Sequence, residues 1–319
     1  DAGKGNDTIS GGEGTDVLLG GKGDDTFVIR TLKDFFTTDS GTSTPEDTIT
    51  GGDGTDVIAL DSITIGTGDD FGTSANSHIS GISKITANGA QGSAISITTK
   101  ADFSADTGIT HIDLSADTGS SGSNVINVSN NTGAAAWTLT GSSHIDSITG
   151  DGGADIITPG PGADIVTPGG GADIIVFGAS GGTDDIIDFA TTTDHLDVDA
   201  LVGDVTGSAF VTWSGTGSDI DGKIINLEAT GALTDAAAAI AKFEIASGSN
   251  GAKHAIADNA QVALVVQDDN AAGGTNYDAQ VFIVSSDGTS ITAELIATMN
   301  TAPAVGGGNL SVLAFGDFV

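Results

Sequence analysis

Three nine-residue units stand end to end at the start of the chain: AGKGNDTIS (2–10), GGEGTDVLL (11–19) and GGKGDDTFV (20–28). A period of nine with glycines first, an aspartate sixth and an apolar residue eighth confines the chain to a coil of tight turns and very short strands. The glycines permit left-handed backbone angles, and they let carbonyl oxygens converge where a Cβ would stand in the way. Aspartate is the shortest carboxylate able to reach back into such a turn. Carbonyl and carboxylate oxygens together suit a hard cation such as Ca2+, which takes about six to eight oxygen ligands.

The same code recurs twice. After a polar stretch with two aromatic anchors, RTLKDFFTTDSGTSTPED (30–47), the tail half of a unit, Asp47-Thr48-Ile49-Thr50, leads into GGDGTDVIA (51–59). A second array follows at GSSHIDSIT (141–149), GDGGADIIT (150–158), PGPGADIVT (159–167) and PGGGADIIV (168–176). Two units per turn of a parallel β-roll place residues 18 apart on one edge. That pairing predicts Asp7 with Asp25 around one ion, Asp155 with Asp173 around another, and Asp164 with Asp146. Asp16 and Asp56 are further candidate ligands without assigned partners, and Gly5, Gly14, Gly23, Gly54, Gly153, Gly162 and Gly171 are the turn glycines that accompany them. The turn at 142–144 lacks glycine and is expected to be a weak or empty site.

Position eight supplies the expected core ladder: Ile9, Leu18, Phe27, Ile58, Ile148, Ile157, Val166 and Ile175. Position seven of the second array is apolar as well, at Ile156, Ile165 and Ile174. It predicts an outward isoleucine row that something must cover. Between the arrays, ISKITA (82–87), AISITT (94–99), THIDLS (110–115), NVINVS (124–129) and AWTLT (136–140) read as short, regularly spaced strands with polar loops between them. They are expected to be irregular rungs of the same solenoid, with a separate small β-sandwich as the alternative.

The expected organisation is therefore all-β in four blocks: a first roll at 1–60, irregular rungs at 61–140, a second roll at 141–201 and a C-terminal β domain at 202–319. The last block reads as strands with one short helix, TDAAAAIAKFEIA (234–246).

The net charge is −34, and only nine Lys and Arg are spread along the chain. That argues against nucleic acid and anionic membranes as partners. Of the 43 acids, 38 are Asp and five are Glu. A surface acidic only for solubility has little reason to avoid Glu, whereas turns and ion sites favour Asp. Zero cysteine excludes disulfides and thiolate metal sites. No apolar run approaches transmembrane length, and with the array already in register at Ala2 the sequence reads as a fragment or processed product. No catalytic constellation accompanies the five histidines, so no enzyme activity is expected.

GGTDDIIDF (181–189) and TDHLDVDAL (193–201), following the nonapeptides, resemble the exit from the repeat arrays of RTX proteins, a family that includes secreted proteases, lipases, toxins and surface-layer proteins. The resemblance implies several bound Ca2+ ions, folding coupled to calcium outside the cell, and export by type I secretion machinery that reads the C-terminus. Gly316-Asp317-Phe318-Val319 is similar to the acidic-then-apolar ending of such substrates. Extracellular sites of about 10⁻⁴ to 10⁻³ M would stay empty in the cytosol, and chelation is expected to abolish β-structure over both arrays. The calcium-free rungs and the Thr, Ser, Ala and Gly content resemble surface-layer proteins and suggest a self-associating lattice or filament subunit. The alternative is the calcium-folding and secretion module of an exoenzyme, toxin or adhesin with its active domain upstream.

Overall fold

Strands as short as Thr8–Ile9 and Val17–Lys22 do not persist alone, so repeats of this kind fold only by stacking. The computed structural model describes residues 1–35, 47–66, 72–73, 76–119, 122–178, 182–190 and 193–198. It also describes strands at 211–212, 224–229, 243–245, 254–256, 261–268, 279–286 and 291–300. These form two compact units, Asp1–Asp173 and Ile174–Val319.

The first unit is a parallel coil in which alternate units fall on opposite sides. One side is a continuous sheet: Ile9 pairs with Phe27, Phe27 with Ile58, Ile58 with Ile85, Ile85 with Ile112, Ile112 with Leu139 and Leu139 with Ile157. The other side begins with Leu18, Ile49 and Ile79 in register, and a separate sheet carries Ile65, Ile97, Ile126, Ile148 and Val166. Each pair stacks one apolar residue directly on the next. From Phe27 onward this column is almost fully withdrawn from solvent; Ile85, Ile97, Ile112, Leu139, Ile148, Ile157 and Val166 are all completely buried. At the first coil Ile9 and Leu18 are half-buried.

The described residues between 61 and 140 continue this coil. Their interior partners step from Ile58 to Ile85, Ile112 and Leu139, an interval half as long again as that from Leu139 to Ile157 in the second array. Two successive strands of the sequence pattern, one on each side of the coil, add up to one such wide rung. The extra length loops out of the ladder between strands, as in a short helix, Phe103–Thr107, closed by Gly108 at φ 75°. Because the column of isoleucines runs through unbroken, the wide rungs need no glycine code to stay in register.

Side chains alternate across each strand, and successive units lie on opposite sides, which corrects one expectation. Ile156 pairs with Thr138 and Ile165 with Ser147, in different sheets. Both are exposed, but in different sheets they form no single row, and Ile174 is half-buried.

In the second unit, Ile174–Val176 pairs in parallel with His195–Asp197. Ala279–Ser286 lies antiparallel between Gln261–Asp268 and Ile291–Asn300, and Ile224–Ala229 and Asp184–Ile187 pair in parallel with these two flanking strands respectively. The expected helix over 234–246 is contradicted at its end. Residues Phe243–Ile245 are a strand paired with His254–Ile256, since Phe and Ile around a single Glu suit a pleated strand once a partner is available. The rest of that expected helix, and the C-terminal Gly316–Val319, lie outside the described residues.

Replacing Ile112 by Ala removes one link from the buried column. The expected cost is about 2–5 kcal/mol, read as a shift of the denaturant midpoint in saturating calcium.

Candidate metal centre

In each unit the aspartate is the last turn residue before the strand, and its side chain reaches the coil above. Asp25 Oδ1 accepts the backbone N–H of Asp7 at 2.8 Å, and Asp56 Oδ1 accepts that of Asp25 at 2.8 Å. On the other side Asp47 Oδ1 accepts from Asp16 N at 2.8 Å. In the second array Asp164 accepts from Asp146 N at 2.7 Å, and Asp173 from Asp155 N at 2.8 Å. Aspartates two units apart are thus brought together as predicted, but through a carboxylate on a main-chain N–H. Asp16 finds its partner in Asp47, which the tail half-unit at 47–50 already marked, and Asp56 finds its partner in Asp25. Both intervals are 31 residues, the insert having stretched the period.

The remaining carboxylate oxygens distinguish the first array from Asp146 and Asp155 of the second. Asp25 and Asp56 are essentially inaccessible to solvent, at 1% and 0%, yet Oδ2 of each, like that of Asp7, is buried without a hydrogen-bond partner. The surroundings of these oxygens are oxygen-rich. A Cβ on Gly20 would collide with Asp25 Oδ2 and the Gly51 carbonyl oxygen together, and one on Gly51 with Asp56 Oδ2 and the Gly81 carbonyl oxygen. Carboxylate and carbonyl oxygens therefore share a cradle that only glycine leaves open. Leaving a buried carboxylate oxygen unmatched costs several kcal/mol, and an all-oxygen donor set suits Ca2+. The residues fit the ion. Among the described residues no three His, Asp or Glu side chains converge, so main-chain carbonyls must supply much of any shell.

In the second array the chain meets more of these demands itself. Asp155 Oδ1 accepts the Trp137 N–H at 2.9 Å and Oδ2 the Asp151 N–H at 3.0 Å. Asp146 receives the Ser142 N–H and hydroxyl and, at 3.2 Å, the Asn124 N–H. The glycine-poor turn at 142–144 is occupied by protein: His144 Nε2 meets the Gly119 carbonyl, and its Nδ1 lies 3.2 Å from Ser142 Oγ. The sequence offered no signal for Asp117, Asn124, Asp151, Trp137 or His144 as turn-filling residues, because their bonding lies outside the repeat code.

The candidate glycines serve two purposes. Gly5, Gly14, Gly23, Gly54 and Gly171 have positive φ, whereas Gly153 and Gly162 do not. The latter two are required for closeness, since a Cβ there would strike the carbonyl oxygens of Ala135 and His144. At Gly54 both demands coincide: φ is 143°, and a Cβ there would strike the Gly23 carbonyl oxygen.

A family profile described as the RTX calcium-binding nonapeptide repeat matches residues 1–27, 46–62 and 140–175, in four copies. No curated protein matches the chain.

Gly54→Ala is expected to weaken calcium binding by the first array at least tenfold by isothermal titration. Gly92→Ala, where a Cβ meets nothing within 4 Å, is expected to leave it unchanged. Burial, with Asp151 nearby, raises the Asp155 carboxyl to about 6. Without calcium this group takes up a proton on folding between roughly pH 4 and 6. Its contribution to stability therefore improves as pH falls from 7 through that window and worsens as pH rises again. Carbon-detected NMR titration in EGTA should place its midpoint near 6; a midpoint at the ordinary carboxylate value would refute the assignment.

Proposed function

We propose that this chain, which carries RTX calcium-binding nonapeptide repeats, is a secreted, non-catalytic structural protein that folds on calcium outside the cell and self-associates into a surface layer or filament. The observation that carries the calcium part is the pair of wholly buried, partnerless oxygens, Asp25 Oδ2 and Asp56 Oδ2, each beside a stacked carbonyl. Bound Ca2+ supplies positive charge among carboxylates that otherwise repel one another and resist burial. The chain's own part is to hold the carboxylates in register through the Asp7, Asp25 and Asp56 bonds and to keep side chains out of the cradle.

Three features support export and assembly. Carboxylates such as Asp25 and Asp56, which cannot be buried comfortably without calcium, keep the first array open in a calcium-poor cytosol, the state in which that stretch passes through a type I channel. Between Gly3 and Thr167 the coil runs on through the wide calcium-free rungs, giving a rod longer than the arrays alone would make. Among the described residues no helix is long and apolar enough to cross a membrane.

Asp25→Asn with Asp56→Asn is expected to lower the number of calcium ions bound in titration calorimetry and to weaken the first array's affinity at least tenfold. Electron microscopy of the full chain with calcium should show lattices or fibres. Persistent monomers at high concentration would discard the assembly reading in favour of a module serving an upstream domain.

A further inference from the structure

The buried carboxylates of Asp1–Asp173 are of two chemical kinds, and those between residues 84 and 158 differ from those of the first array. In the first array, Asp7, Asp25 and Asp56 each keep one buried oxygen that no protein donor reaches. From Lys84 to Thr158 the chain provides donors in place of a cation. Asp151 Oδ2 accepts from Asn131 Nδ2 at 2.7 Å, Trp137 Nε1 at 3.1 Å and Ala135 N at 3.3 Å, while Oδ1 accepts from Gly153 N at 2.6 Å. Elsewhere in the same rungs, Asp117 Oδ1 accepts from Gln91 N at 2.8 Å and Gly119 N at 3.1 Å, and Oδ2 from Asn124 Nδ2 at 3.0 Å. Asn124 in turn accepts from Ile95 N at 2.7 Å. Asp146 and Asp155 belong to this group by their bonding; Asp106 is the exception, its buried Oδ2 receiving no hydrogen bond and facing Lys100 Nζ at 3.7 Å.

These donors are built in. Asn131 and Trp137 are themselves buried, at 5% and 1%, and Phe103 packs on the Trp137 ring with centroids 6.1 Å apart. Charge-assisted bonds from several donors stabilise a buried carboxylate much as a cation would, and they need no ion.

We infer that the rungs between 84 and 158 fold without calcium, as a metal-independent core closed around Asp151 and Asp117, and that the first array stacks onto this core only when the ion is present. The inference rests on the calcium-folding reading given above for the first array. It replaces the expectation that chelation melts both arrays alike. Phe27, Ile58 and Ile85 are successive partners in one sheet, so a preformed rung at Ile85 offers the first array a template in register.

Hydrogen exchange with mass spectrometry on the full chain, in calcium and in EGTA, tests this directly. Peptides from 1–60 should lose protection in EGTA by more than about a hundredfold, while those covering 84–158 stay within about threefold of their calcium values. Loss of protection in both stretches together would overturn the metal-independent core and leave calcium-driven folding intact. Unchanged protection at 1–60 would overturn the calcium reading itself. In Trp137→Phe, which deletes one donor to Asp151 and keeps an aromatic ring, exchange in EGTA over 84–158 should quicken by about tenfold. Asp151→Asn, which turns amide hydrogens toward existing donors, should do so more strongly. If both variants match the parent chain in EGTA, the assignment of the lock to Asp151 fails.

Discussion

One hydrogen bond organises the coil: the backbone N–H at the head of each strand donates to the carboxylate of the aspartate one turn further along. Asp7 to Asp25 to Asp56 and Asp146 to Asp164 are stretches of the same ladder. The bond requires a short side chain, because the carboxylate must reach an adjacent rung while its own backbone is entering a strand. Glutamate adds a methylene that the turn cannot accommodate, which accounts for 38 aspartates against five glutamates better than surface solvation does. It also fixes register, since a slip of one residue would present the wrong face of every strand to the core. Only one oxygen is used, and in Asp25 and Asp56 the other is left facing the glycine cradle, so the ladder and the candidate ion site are two sides of one residue.

The ladder persists where its residue changes. Trp137 occupies the aspartate position one rung before Asp155 and still donates its N–H to that carboxylate, and Asn124 stands in the same column as Asp146, accepting from Ile95. The apolar column beneath is indifferent to these exchanges, because Ile112 and Leu139 stay in register as Phe27 and Ile58 do. Turn chemistry and core chemistry are therefore separable along this coil. The core sets that a rung exists, and the turn sets under what conditions it closes.

Period and polarity were legible in the residues. The spacing of nine led to pairs 18 apart, and the alternating segments at 82–140 to strands that lie where the isoleucines place them. What escaped had no periodic mark. Asp47 stood in a visible half-unit, but its pairing with Asp16 was hidden because the insert lengthened the interval to 31. Asp151 and Asp117 escaped because their partners, Asn131, Trp137 and Gln91, meet them only after wide rungs have folded. Likewise, no nonapeptide count shows that consecutive units point to opposite sides, and so Ile156 and Ile165 read as neighbours until the coil separated them.

Magnitudes explain why such a coil needs two kinds of turn. Withdrawing an isoleucine or phenylalanine from water stabilises by about 1.5–3 kcal/mol, and each narrow rung contributes only two inward apolar residues. An unmatched buried carboxylate costs several kcal/mol. In the first array the unmatched oxygens of Asp25 and Asp56 set this cost against the apolar burial, and a cation offsets it. Around Asp151 four donors have already removed the penalty, and the burial of Trp137 and Leu139 is left uncancelled. A coil made only of the first kind of turn would have no folded rung to grow from, and one made only of the second would not respond to calcium at all. The side chains placed at 131, 137 and 151 on one hand, and the bare glycines at 20 and 51 on the other, divide those two properties along a single stack.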